Sequence, residues 1–218
     1  MAFTRKRGRM QSLKPDLLIL QECSEKDILE TEAPFRHWVG TNKHKGLGVI
    51  GFAEHDYKID ESCTNDLPWF IPLQITDLNL QVLAVWTCVK TPQLRHVRVT
   101  HSAIDHYQQF IDKAPTIIAG DFNSNTIWDK GHPKRSHSLL VEKLHGLGLE
   151  SLYHHQTTEL EGAETTPTLY MYRNPAKGYH IDYAFLSGSL LSGAWMEIGN
   201  PNVWLSESDH MPVILDIM

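Results

Sequence analysis

The chain has 218 residues, of which 41% are hydrophobic and 21% charged, with a formal net charge of −6. Those values suit a globular protein able to bury a sizeable core, and they exclude low-complexity chains and general polyanion binders. No apolar run approaches the ~20 residues of a bilayer span, no apolar stretch follows the basic start as in a signal peptide, and Cys23, Cys63 and Cys88 lack metal-type spacing, so one monomeric, cytoplasmic domain is expected.

A short helix is predicted over residues 5–13, ending ahead of Pro15. The apolar run 17–21 predicts a strand, and Ser24 an N-cap for a helix reaching Leu29. Strands are expected at 47–52, 69–75 and 80–86, with a turn at 77–79. Ile104, Tyr107, Phe110 and Ile111 recur at helical spacing, which predicts a long helix over 97–113 stopped by Pro115. A buried strand at 116–119 and a helix over 136–147, with Gly148 behind it, come next. Strands at 168–172, 183–187, 194–198 and 213–217 complete the chain, and loops 123–135 and 157–166 are expected to edge a cleft. Interleaved strands and helices predict an α/β fold of two packed mixed β-sheets flanked by helices.

Four of these strands carry carboxylate, amide or imidazole groups at an end. Leu17-Leu18-Ile19-Leu20 runs into Gln21-Glu22, and Thr116-Ile117-Ile118-Ala119 into Gly120-Asp121-Phe122-Asn123. His180-Ile181-Asp182-Tyr183 opens another, and Ser208-Asp209-His210-Met211-Pro212 precedes the last. Burying such groups costs free energy unless they are paired or bind a ligand, so strand ends meeting over one cleft suit metal-assisted phosphoester hydrolysis. Each group also has a plain structural reading. Glu22 alone fits a surface ion pair, Gln21 a solvated amide, Asp121 and Asn123 a turn, and His210 a satisfied core histidine. Asp121 and Asn123, two apart, share a face in extended backbone. Asp182 beside His210 would fix the ring tautomer and raise its pKa.

On those four segments, which occur in family order, the chain resembles the endonuclease/exonuclease/phosphatase superfamily. The resemblance implies a four-layer α/β sandwich. It implies that Glu22, with Asp209, holds Mg²⁺ or Mn²⁺, that Asp121 orients or deprotonates the attacking water, and that Asn123 contacts the scissile phosphate. Asp182 and His210 complete the catalytic set, and His180 stands where many relatives carry a phosphate-binding arginine. Two departures accompany it. Relatives usually open on a strand ending in Trp-Asn, and Met1-Ala2-Phe3 looks like the residues just after it, so that strand and its asparagine are expected to be absent. Val85-Trp86-Thr87 lacks a phosphate-contacting histidine or tyrosine, for which His96, His101 or His106 would have to substitute.

The leading expectation is a metal-dependent nuclease. Its nucleic-acid contacts would come from local basic stretches. One holds Arg5, Lys6, Arg7, Arg9 and Lys14, the other Lys130, His132, Lys134, Arg135 and His137, with Lys134 and Arg135 on flanking phosphates. A phosphatase or phosphodiesterase acting on a lipid head group or small phosphoester would use the same centre. An inactive truncated chain or binding module is the third reading.

Overall fold

The structure, a computed structural model, describes residues 3–63, 67, 69–88, 96–131 and 134–218; His132 and the side chain of Cys63 lie outside the described residues. In chain order the elements are α1 (Phe3–Ser12), β1 (Leu17–Cys23), α2 (Glu25–Leu29), β2 (Phe35–Asn42), β3 (Lys45–Gly51), β4 (Tyr57–Ile59), β5 (Phe70–Ile75) and β6 (Leu80–Trp86). Then come α3 (His96–His106), α4 (Gln108–Ile111), β7 (Thr116–Asp121), α5 (His137–Gly146), β8 (Leu149–Ser151), α6 (Leu152–Thr157), β9 (Leu169–Tyr170) and β10 (Gly178–Tyr179). The last are β11 (Asp182–Ser187), α7 (Gly188–Leu191), β12 (Ala194–Ile198), α8 (Pro201–Trp204) and β13 (Val213–Ile217). None of the described helices is long and apolar enough to cross a membrane.

These elements stack in four layers. The larger sheet has the order β4-β5-β6-β7-β11-β8 and is mixed, since β6 and β7 run parallel while its other pairs are antiparallel. The facing layer consists of two antiparallel ladders, β1-β3-β2 and β12-β13. Among the described residues, β1 and β13 each pair along one edge only. Leu47 and Val49 on β3 and Met196 on β12 pack between the layers against Ile71, Val82, Ala84, Ile117 and Ala184 of the larger sheet. The opposite face of that sheet buries Phe70, Leu83, Ile118 and Phe185 under Ile104, Tyr107, Phe110, Leu140 and Leu144 of the helices. Phe3 of α1 and Ile28 of α2 cover Leu20 and Ile50 on the outer face of the smaller layer. Apolar side chains on both faces of β6 and β7 explain why these strands read as unbroken apolar runs.

Local chemistry sets the boundaries. Ser24 and Ser136 cap α2 and α5, each side chain accepting a backbone N–H three residues on, from Asp27 and Leu139. The helix expected over 97–113 is two helices, α3 and α4. The chain turns at Tyr107, where φ −89° and ψ 8° leave helical backbone while the ring stays buried. β2 escapes the sequence pattern because its residues are mostly half-buried rather than alternating, with the Trp38 ring laid over Gly46. The expected strand 168–172 is cut to β9 by left-handed backbone at Tyr172 and Arg173.

Gly120 shapes the end of β7. Its φ of +141° is open to glycine, and a Cβ there would lie 1.9 Å from the Val85 carbonyl oxygen of β6. Gly120→Ala must therefore strain two central strands next to Asp121. A loss of about 2 kcal/mol or more is expected, read as a lower urea midpoint with an unchanged slope. A midpoint equal to that of the parent protein would show that the strand adjusts without cost.

Candidate active site

β7 and β11 are antiparallel neighbours, and their register sets Asp182 directly opposite Asp121. Both carboxyls are buried, at 4% and 7% exposure. The turn after β7 is pinned from both sides. Phe122, fully buried, donates its N–H to Ile181 O at 3.0 Å, and the Thr87 N–H reaches Asp121 O at 2.9 Å. Asn123 has left-handed backbone, φ +48°, which turns its amide back on Asp121. Its backbone N–H donates to Asp121 Oδ1 at 2.9 Å, and Nδ2 donates to Asp121 Oδ2 and, at 3.1 Å, to Thr87 O. His96 Nδ1 donates to that same Thr87 carbonyl at 2.6 Å, so His96 also stands beside the turn.

His210 arrives from another part of the chain. The segment before β13 runs along β9: Tyr170 N–H donates to Asp209 O at 2.8 Å, and Met211 N–H to Thr168 O at 2.7 Å. The Thr168 hydroxyl accepts both the Ile181 and Asp182 N–H groups at 3.0 Å, so one buried residue ties this segment to the start of β11. The His210 ring, with Nδ1 2.9 Å from Asp182 Oδ2 and 3.2 Å from Oδ1, is the most open member of the group. One ligand atom each from Asp121, Asp182 and His210 lies within 4.8 Å of the others.

The charges are interdependent. Burial, then repulsion from Asp182, pushes the Asp121 carboxyl up to about 8, although His210 and the Asn123 N–H pull it back. Burial alone would lower His210, but Asp182, helped by Asp121 and Asp209, carries its ring up to about 10, so His210 is cationic at neutral pH.

Glu22 occupies an irregularity in β1, where the pairing with β3 shifts between Leu20 and Cys23, and its φ is +57°. The bulge re-aims the side chain out of the ladder. Glu22 Oε1 meets Lys45 Nζ at 2.8 Å, and Lys45 also lies over the Trp86 ring at 5.6 Å. Glu22 is close enough to Asp121 to add to the rise of its carboxyl. Gln21 Nε2 points to Val85 O at 3.4 Å. Lys6 Nζ donates to Ser208 Oγ at 3.1 Å, and its ammonium is lowered by burial while Asp209 and Glu22 hold it up. Lys6 thus links the Glu22 and Asp209 sides.

The other expected contacts lie elsewhere. His180, 3% exposed, donates from Nδ1 to Thr166 O at 2.9 Å, and its ring packs on Tyr153 with centroids 4.4 Å apart. Lys134 and Arg135 are exposed, and Arg135 is bonded to Ser102 on α3 at 2.8 Å. His101 faces Ser136 O of the α5 cap. Lys45 and Thr168 were missed by motif reading, and Lys6 and Thr87 were read only as part of a basic stretch and of a departing strand end. The only sequence signal for Lys45 was its place at the head of an apolar strand.

A carboxyl raised on folding binds its proton more tightly in the folded state. Its stabilisation is complete below the ordinary value of 3.8 and is lost as pH climbs towards 8. Asp121→Asn removes this loss. In metal-free protein the melting temperature of the variant should gain on that of the parent between pH 5 and 8.5, measured by scanning calorimetry. A difference that stays flat over that range would mean Asp121 titrates normally.

No known family model matches the chain. A sequence relative, the methionine–tRNA ligase of Methanosphaera stadtmanae, is 24% identical over 179 residues, 81% of this chain and 21% of that protein, so the chain spans about a fifth of its length. Solved structures align over nearly the whole chain. The 3′ phosphatase NExo from Neisseria bound to product DNA hairpin has a TM-score of 0.70 at 16% identity, covering 100% of this chain and 96% of that one. The 3′-5′ exonuclease NExo from Neisseria meningitidis has 0.69 at 16%, covering 99% and 96%. An AP endonuclease from Archaeoglobus fulgidus has 0.66 at 15%, covering 96% and 91%. With this layered sandwich, its strand order and likenesses that run end to end, the chain has the fold of the endonuclease/exonuclease/phosphatase superfamily.

Proposed function

We propose that this protein is a divalent-metal-dependent phosphodiesterase that cleaves nucleic acid. The observation that carries this reading is the Asp121–Asp182–His210 cluster at the ends of β7 and β11, beside the Asn123 amide. The structures it resembles are described as a 3′ phosphatase with a DNA hairpin, a 3′-5′ exonuclease and an AP endonuclease, which supports phosphoester chemistry on DNA.

The residues fit a hard cation. Glu22 already balances a positive charge, the Lys45 ammonium at 2.8 Å, and the oxygens of Glu22 and Asp209 are the donors that Mg²⁺ or Mn²⁺ takes. When bound, such an ion supplies Lewis-acid polarisation of the phosphoryl oxygen. The chain's own groups do the rest. Asp121, whose carboxyl burial and Asp182 push up, is the group that would accept a proton from attacking water. Asn123 fixes its orientation through two N–H bonds. Asp182 holds the His210 ring by Nδ1, which leaves Nε2–H of the cation to donate to a non-bridging phosphate oxygen. Lys134 and Arg135, both exposed, hold flanking phosphates.

A phosphatase or phosphodiesterase on a small phosphoester or lipid head group is the second reading, favoured by the net charge of −6. Hydrolysis of plasmid, single-stranded DNA, RNA and bis-p-nitrophenyl phosphate with Mg²⁺ or Mn²⁺ decides between them. Nucleic-acid cleavage should fall about tenfold or more between 50 and 200 mM salt, while small-ester turnover should hardly change. Cleavage of the small ester alone, indifferent to salt, would favour the second reading.

Glu22→Gln should remove most of the activity, and EDTA all of it. Activity that resists EDTA would discard the metal role. Asp182→Asn should cut turnover about a hundredfold or more and bring the His210 titration, followed by NMR, down from about 10. Full activity in that variant would make His210 structural.

A further inference from the structure

Behind the turn that follows β7 lies a second group of titratable side chains which the chemistry above leaves unused. His137 opens α5, His154 sits on α6, and Glu161 and Glu164 come from the loop that follows. One ligand atom each from His154, Glu161 and Glu164 lies within 4.8 Å of the others. His154 Nδ1 is 3.3 Å from Glu161 Oε1, and His154 Nε2 is 3.2 Å from Glu164 Oε1. His137, 1% exposed, points its Nε2 at Glu161 Oε2 from 3.8 Å. That gap is too wide for a hydrogen bond, and both atoms are buried without any hydrogen-bond partner. Orphaned buried donors and acceptors are rare because each costs free energy.

We propose that His154, Glu161 and Glu164, with His137 facing them across Glu161, form a second divalent-cation site of the zinc type, separate from the Asp121 cluster.

With Nε2 as the ligand atom of His154, its 3.2 Å from Glu164 Oε1 and the 3.8 Å from His137 Nε2 to Glu161 Oε2 are separations of ligands each about 2.0–2.2 Å from a shared ion. A mixture of imidazole nitrogens and carboxylate oxygens suits Zn²⁺ better than Mg²⁺ or Ca²⁺, which take oxygen almost alone. Outer partners are in place for both rings. Ser124 Oγ lies 2.9 Å from His137 Nδ1, and Ser151 Oγ 2.7 Å from His154 Nδ1. A ring that gives its Nδ1–H to such a hydroxyl presents an Nε2 lone pair, as metal-ligating histidines do. Burial also lowers His137 to about 4, which leaves its ring neutral at pH 7. Burial raises Glu161 to about 7, and Glu164 and Asp129 add to the rise despite the pull of His154. Glu164 is oriented by Gly162 N–H at 2.9 Å and by Asn125 Nδ2 at 3.2 Å. His180 stands beside the same group, its ring edge-on to that of His154 at 6.1 Å, with a buried and unpartnered Nε2.

An ion here would staple α5, α6 and the 158–166 loop together, and through Asn125 would brace the turn that carries Asp121 and Asn123. The test uses the full chain, stripped of metal and titrated with Zn²⁺ against a chromophoric chelator, with Co²⁺ as a visible-absorption probe. About one Zn²⁺ per chain is expected beyond any held at Glu22 and Asp209, with Co²⁺ bands of a four-coordinate nitrogen–oxygen site and a higher melting temperature. Asp121→Asn with Asp182→Asn should bind Zn²⁺ as the parent does. Glu161→Gln, nearly isosteric, and His154→Gln should each weaken binding at least tenfold and abolish the melting shift. Circular dichroism of the metal-free variants checks that they fold; if His154→Gln does not, Glu161→Gln decides alone. No stoichiometric binding by the parent, unchanged binding by Glu161→Gln, or loss of binding in the Asp121/Asp182 double variant would each overturn the site. None of these outcomes bears on phosphodiester cleavage, which the nuclease assays judge separately.

Discussion

Two carboxyl groups face each other across one antiparallel strand pair, and both are almost out of water. The register of β7 against β11 allows Asp121 and Asp182 no other arrangement. Two ionised carboxylates so placed repel each other, and burial makes the repulsion stronger. The surrounding structure balances that charge. His210 is brought in by the β9 edge, Asn123 turns its N–H groups inward, and Thr168 fixes the start of β11 through its hydroxyl. None of these partners is near the others in sequence. The fold is what turns a destabilising pair of acids into an ordered constellation with one open imidazole.

The residues at the end of β7 and just after it serve two environments. Asp121 and Asn123 turn to the His210 side. Ser124 and Asn125 turn the other way, to His137 and to Glu164. Phe122, fully buried between them, packs on Tyr183 and Phe185 and anchors the segment. Anything that tightens the second group therefore tightens the backbone from which the first is hung.

Much of the layered fold was legible. β6, β12 and β13 fall where their apolar runs place them, because strands packed on a core must be apolar there. A capping serine marked α2 through a local hydrogen bond, which sequence can report, while Ser136, expected inside the helix, caps α5 in the same way. The break at Tyr107 was not legible, since its apolar spacing continues across two helices that cover the same sheet. β2 and the short β8–α6 unit were hidden for the opposite reason: their burial depends on partners distant in sequence. The same limit applies to the site. Strand-end acids could be seen one by one, but not that Glu22 would meet Lys45 or that Thr168 would hold Asp182. His180 was read as a phosphate contact, His137 as part of a basic stretch and His154 not at all, and only the fold gathers their rings around Tyr183.

Glu22 and Asn123 both hold left-handed backbone, at φ +57° and +48°. For a residue such as glutamate that conformation costs roughly 1 kcal/mol or more, and for asparagine less, though still more than for glycine. A library sorted only for folded, soluble protein would thus be drawn towards glycine at both positions. The winners would be sturdier molecules that had discarded a carboxylate and an amide from the cleft. Selection for robustness and selection for chemistry pull in opposite directions at these two residues, so the presence of side chains there records which pressure has prevailed.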